Sequence, residues 1–287
     1  MYKHRSEHRT IAVKSRWGRR RWCIPILVAG GFILHKFTEI NHVQDGLRSK
    51  DATATSKIPS AELNASIISD EEFFRKAAKS LLPTTDKVTS HQYHIMYGQF
   101  LMPYYRQKPG MKMLEIGLGC GMSYGPGASV ALWKKLFPEA DLWEAEFNGK
   151  CVEKAKEDGK LNGFNVLVGD QMDIDTLDQW IDESGGGAFD VVIDDGGHQN
   201  CQIWTAFQKL WPRLLPGGLY FIEDLFISRI QAPRSSPICG TDVNVPDILM
   251  KTADGIIHRN ETGVIDDVKF VFCQRDACVV GKKDISK

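Results

Sequence analysis

From residue 71 onward, short apolar runs alternate with stretches whose apolar positions recur every three or four residues. Clusters of glycine, proline, aspartate and asparagine separate the two kinds of segment. The runs predict strands at 111–117, 141–146, 165–168, 188–193 and 218–222, and the 3.6-residue pattern predicts helices at 71–82, 90–105, 128–137, 149–162, 174–183 and 200–214. The fourth run, Ala-Phe-Asp-Val-Val-Ile, is of the continuous apolar kind found where both faces of a parallel sheet are covered. Two late strands, 268–273 and 277–280, flank Gln274-Arg275-Asp276 and predict a hairpin. Strands alternating with helices define an α/β chain with a doubly wound, mostly parallel sheet and a C-terminal antiparallel hairpin. In such sheets ligands bind beyond the carboxyl ends of the strands.

The first seventy residues follow other rules. Residues 1–21 hold eight Lys/Arg and one acid, Glu7, while 22–34 carry no charge at all. A spanning helix needs roughly 20 apolar residues, and thirteen fall short unless Arg21 and Lys36 snorkel and Trp22 and Phe37 sit at the interfaces. The expectation is a basic tail (1–21), a signal anchor (22–37), a polar Ser/Thr/Ala-rich stalk (38–70) and a catalytic domain (71–287). The basic flank would keep the tail cytosolic. The chain is then a single-pass membrane protein of the secretory pathway, in the ER or Golgi, with a lumenal domain. A cleaved signal peptide, a buried helix and an RNA-binding or import tail are the alternatives. Sequons at Asn64 and Asn260 are compatible with a lumen.

Composition alone would have hidden this division. With 36 Lys+Arg against 36 Asp+Glu, 43% hydrophobic and 25% charged residues, the 287-residue chain has the profile of an ordinary globular protein. That excludes collagen-like, disordered and disulfide-scaffold classes, and also a uniformly basic nucleic-acid binder. The neutral sum splits into +7 over residues 1–21 and −7 over the other 266. Seven cysteines show no zinc-finger spacing. Cys273 and Cys278 flank the hairpin turn and form either a disulfide or two half-buried thiols.

Several of the excess acids fall at strand ends. The first strand runs into Leu114-Glu115-Ile116-Gly117-Leu118-Gly119-Cys120-Gly121, where Gly117, Gly119 and Gly121 let the backbone turn tightly against a ligand. Glu115 suits a cationic or amino group. Glu146, ending the second strand, can accept both ribose hydroxyls, and Asp170-Gln171, after the third, suit an adenine amino group. A nucleoside with a positive centre and no phosphates, such as S-adenosylmethionine, fits these acids better than NAD does. The fourth and fifth strands end in Asp194-Asp195-Gly196-Gly197-His198 and Glu223-Asp224. Clustered carboxylates need a cation to neutralise them, and hard oxygen ligands favour Mg2+, Mn2+ or Ca2+. Such a metal could bind a substrate hydroxyl and lower its pKa, with His198 as general base. Alternatively Asp194 and Glu223 cap helices or bind cofactor and His198 is a surface residue.

Together these motifs carry a family resemblance. With Thr85-Asp86-Lys87, His91, Tyr93, Gly127-Ala128-Ser129, Trp133, Phe137-Pro138 and Pro216-Gly217-Gly218-Leu219-Tyr220-Phe221-Ile222, the stretch 85–225 resembles the class I S-adenosylmethionine-dependent methyltransferases. Within them it is similar to the metal-dependent sugar O-methyltransferases of macrolide biosynthesis (the macrocin and mycinamicin enzymes) and their cephalosporin-hydroxylase-like relatives. The resemblance implies a Rossmann-like methyltransferase fold and cofactor contacts at Glu115, Gly117, Glu146 and Asp170. It also implies metal ligands among Asp194, Asp195, Glu223 and Asp224, with His198 as base. The chain departs from the pattern at Gly197, where Ser is usual, and at Glu146, where Asp is commoner. The basic tail and apolar run have no counterpart in the bacterial enzymes. The expected acceptor is a small-molecule or glycan hydroxyl, not nucleic acid. A catalytically inactive binding module and an iron-dependent hydroxylase are the competing readings.

Overall fold

The computed structural model describes residues 68–230, Cys239, 243–258 and 264–284. Seven strands form one sheet: β1 (Lys112–Ile116), β2 (Asp141–Glu146), β3 (Asn165–Val168), β4 (Val191–Asp194), β5 (Leu219–Ile222), β6 (Val268–Gln274) and β7 (Ala277–Lys282). Their order is β3-β2-β1-β4-β5-β7-β6. The first five are parallel, β7 runs antiparallel to β5, and β6 pairs with β7 alone. The registers Ile116↔Ala145, Ile116↔Asp194 and Asp194↔Ile222 align the strand ends, so the residues that follow emerge on one rim.

Alternation along the strands supplies two cores. On one face Leu114, Val192, Tyr220 and Ile222 pack with residues of α6 (Ile174–Glu183), α7 (Asn200–Leu210) and α9 (Val245–Ile257). On the other, Met113, Val191, Ile193 and Phe221 meet residues of α1 (Asp70–Lys79), α2 (His94–Met96), α3 (Met102–Gln107) and α4 (Ala128–Leu136). The strand period of two sends neighbouring side chains to opposite faces. Glu115 therefore shares the second face with Met113, and its partner in the register is Glu144.

Most predicted elements are present, with three instructive differences. The helix that begins as α5 (Gly149–Glu157) stops five residues before the predicted end, because Gly159 follows its cap in the left-handed region at φ 71°. α7 gives way at Leu210 to a 3-10 turn, Trp211–Arg213, built around Pro212. The predicted helix 90–105 forms as α2, a π-segment Tyr97–Leu101 and α3, the π-segment just preceding Pro103. Two helices went unpredicted: α8 (Leu225–Ile230) and α9, which covers part of the core.

The predicted signal anchor (22–37) lies outside the described residues, as do the basic tail, nearly all of the stalk and both sequons. Among the described residues no helix is long and apolar enough to cross a membrane. The longest, α9, has 13 residues, about two-thirds of the roughly 20 that a bilayer needs. The expected single-pass membrane placement in the secretory pathway is corrected accordingly, and so is the signal anchor: no element among the described residues carries either.

Candidate active site

The rim beyond β1–β5 opens into a cleft of about 460 Å³. Its floor is the glycine loop after β1. Gly117 sits at φ 112°, and a Cβ there would lie 2.2 Å from the Asp195 carbonyl oxygen, so this position admits glycine alone. Gly119 and Gly121 also line the cleft. Glu146 clamps the loop from β2: its carboxylate accepts the Leu118 N–H at 3.1 Å and the Asn148 N–H at 2.9 Å. A disulfide between Cys120 and Cys151 ties the same loop to the first turn of α5.

Asp170 and Gln171 line the cleft from the β3 side. Asp170 accepts its own turn's Met172 N–H at 2.9 Å. Gln171 is buried and bridges two elements, donating to Asp194 Oδ1 at 2.9 Å and accepting from the Gly197 N–H at 2.6 Å. Phe147, exposed at 72%, adds an apolar surface next to Glu146. Sequence reasoning passed over it, although its place directly after the strand-end acid was a usable signal.

Three of the expected residues, Asp194, Glu115 and Glu223, do not line the cleft. Asp194 is 1% exposed and its carboxylate accepts from Gln171 and, at 3.5 Å, from the Tyr220 hydroxyl. Burial raises its pKa to about 7 although the Gln171 amide and the Gly196 N–H favour its charge. Glu115 is fully buried beneath the rim, 3.4 Å from the Lys87 ammonium. Burial raises Glu115, partly offset by Lys87; Glu144 goes well above the carboxylate range through burial and the Glu115 charge.

Asp195, His198 and Asp224 come together at the mouth of the cleft. Each offers a ligand atom, all within 4.8 Å of one another, and each is partly exposed. His198 Nε2 lies 3.5 Å from Asp224 Oδ2. Asp224 has a left-handed backbone, φ 52°, unusual for a residue with a Cβ. The Tyr93 hydroxyl holds it there, donating to Oδ1 at 2.7 Å and accepting the Asp224 N–H at 3.2 Å. His91 stacks on Tyr93 and approaches the same Oδ1 to 3.5 Å, outside the three-residue group. The two carboxylates are hard oxygen donors suited to a cation such as Mg2+ or Mn2+. The predicted ligands thus divide: Asp195 and Asp224 are in the group, whereas Asp194 and Glu223 are not.

Glu223 is turned inward. One oxygen accepts from Lys87 Nζ at 2.8 Å and the other from the Tyr97 hydroxyl. Lys87, fully buried, also donates to Asp195 Oδ2 at 2.7 Å. Burial alone would lower its pKa, but Asp195 and Glu223 outweigh that and hold the ammonium above the ordinary lysine range. Its role was illegible beforehand because its partners lie 108 and 136 residues away.

The sheet order and the glycine cleft define the class, a Rossmann-like fold of the methyltransferase type. Comparison with known proteins gives that class particular relatives. No protein-family profile matches the chain. It is 31% identical over 183 residues to 8-demethyl-8-alpha-L-rhamnosyl tetracenomycin-C 2'-O-methyltransferase of Streptomyces olivaceus, which is 63% of this chain and 46% of that one. It is 33% identical over 139 residues to mycinamicin VI 2''-O-methyltransferase of Micromonospora griseorubida, 47% of this chain and 32% of that one. Among solved structures, MycE methyltransferase from the mycinamycin biosynthetic pathway, in complex with Mg and SAH, matches with a TM-score of 0.55 at 25% identity. That match covers 74% of this chain and 55% of that one. The chain spans less than half the length of the two curated relatives.

Proposed function

We propose that residues 71–287 form a methyltransferase domain that moves the methyl group of S-adenosylmethionine to a hydroxyl oxygen of a small-molecule or glycan acceptor, assisted by a divalent cation. The observation that carries this reading is the juxtaposition of the Asp195–His198–Asp224 group with the glycine-loop cleft. The names of the sugar O-methyltransferase relatives support the same chemistry.

The residues divide the work. The glycine loop and the pinned Glu146 shape the nucleoside end of the cleft, with Asp170 and Phe147 beside it. Glu115 serves from below as part of the buried acid layer, and Gln171 braces Asp194 against Gly197. Asp195 and Asp224 would hold Mg2+ or a similar cation, which would supply a positive charge favouring the alkoxide form of an acceptor hydroxyl. His198, beside Asp224, is placed to accept the hydroxyl proton. Because a sulfonium is already a good leaving group, most of the remaining demand is alignment of acceptor oxygen, methyl and sulfur.

The test is a turnover assay for S-adenosylhomocysteine formed only when acceptor is present, with cofactor binding followed by calorimetry. Asp195→Asn should lower transfer by about 100-fold or more while cofactor affinity stays within about threefold. Full activity in EDTA would remove the cation from the proposal, and absence of S-adenosylmethionine binding at millimolar concentration would remove the function.

A further inference from the structure

Three carboxylates surround Lys87, and each comes from a different strand or strand end: Glu115 on β1, Asp195 after β4 and Glu223 after β5. A lysine normally keeps its ammonium in water on a flexible stem. Here the side chain is 1% exposed, the short turn Asp86–Val88 feeds it inward, and the ammonium is fixed by contacts at 2.7, 2.8 and 3.4 Å. The Glu223 carboxylate is fully used, since the buried Tyr97 hydroxyl takes its second oxygen. Asp195 gives Oδ2 to Lys87, which leaves one oxygen for the cleft. The ammonium offsets part of the charge of the buried acids, while Asp195 and Asp224 reach the mouth to meet a divalent ion.

We propose that Lys87 is a positioning residue that limits how the rim acids hold the metal, restricting Asp195 to one free oxygen and keeping Glu223 out of the shell. This rests on the methyl-transfer reading above. Cation affinity rises with the number and charge of the ligands a site presents. Without the ammonium, Asp195 is free to offer both oxygens and Glu223 to swing outward. The ion is then held more tightly but with fewer open positions for an acceptor that must enter and leave.

The test uses the full chain and Mn2+ as the probe, titrated by electron paramagnetic resonance, with S-adenosylmethionine binding and transfer measured alongside. For Lys87→Met we expect Mn2+ affinity to rise by about tenfold or more while transfer falls by about tenfold or more, with cofactor affinity within about threefold. A residue serving stability alone would not give tighter metal with slower transfer. The double variant Lys87→Met/Glu223→Gln removes the buried partner charge along with the ammonium, and it should also bind Mn2+ more tightly than the parent, because Asp195 is freed in both. Mn2+ affinity unchanged within about twofold, or weakened, in the folded variants would overturn the proposal. Unfolding of both variants would overturn it too, by assigning Lys87 to the stability of the fold. A parent chain that binds neither Mn2+ nor S-adenosylmethionine would instead bring down the function reading itself, and Lys87's role with it.

Discussion

Asp194 shows how a single position within the strand changes a residue's work. It stands last in β4, one residue before Asp195, yet it is sealed beneath the rim while Asp195 reaches the cleft. Its native pKa near 7 lies above the ordinary aspartate value, so between those two values the folded chain binds a proton that the unfolded chain has released. Stability from this group is complete below pH 4, falls as pH rises towards 7, and stays lower above it. Three pKa units correspond to about 4 kcal/mol. Asp194→Asn cannot ionise and should escape that decline, gaining about 4 kcal/mol relative to the parent between pH 4 and pH 8. Urea denaturation across that range measures it, and parallel pH profiles for the two proteins would refute the buried ionisation. The sequence distinguished neither acid from its neighbour, because strand alternation says which face a side chain takes but not how deep it lies.

At the level of elements, the apolar runs made the parallel strands legible, since β4 and β5 are buried along their whole length. Helix ends were less so; they turned on local events, Gly159 for α5 and Pro212 for α7. Pairings across long sequence distances could not be read at all. Besides Cys273–Cys278, the structure joins Cys120 to Cys151 and Cys201 to Cys239, separated by 31 and 38 residues. The Cys120–Cys151 bridge has a measurable effect because it closes a long loop between two elements of the cleft. Chain-entropy arguments give such a loop about 3.5 kcal/mol. Replacing both cysteines by serine should lower the melting temperature by about 7–14 °C in a domain of this size. Calorimetry of the non-reduced proteins tests this, and equal melting temperatures would mean that the bridge contributes nothing to the folded state.

Across the whole molecule, the functional groups belong to no single segment. The cleft takes the glycine loop from one side of the β1/β4 boundary and the Asp195–His198–Asp224 group from the other, with Tyr93 supporting Asp224 from the helical layer before β1. The motifs could be recognised one by one, but only the fold brings Lys87, Glu115 and Glu223 into one buried cluster. The sheet depends equally on distant parts, for β7 is hydrogen-bonded on both sides, to β5 and β6. Deleting residues 277–282 should therefore destroy cooperative unfolding rather than merely loosen an edge, as seen by hydrogen exchange in β4 and β5; protection retained there at the parent level would show that the five parallel strands stand alone. The same insertion governs birth of the fold on the ribosome. β5 is synthesised nearly sixty residues before the strand that covers its open side, so at about 5–20 residues per second its bare edge waits for about 3–12 s. During that interval an apolar strand is available to any neighbouring chain, and β7 is the strand that withdraws it.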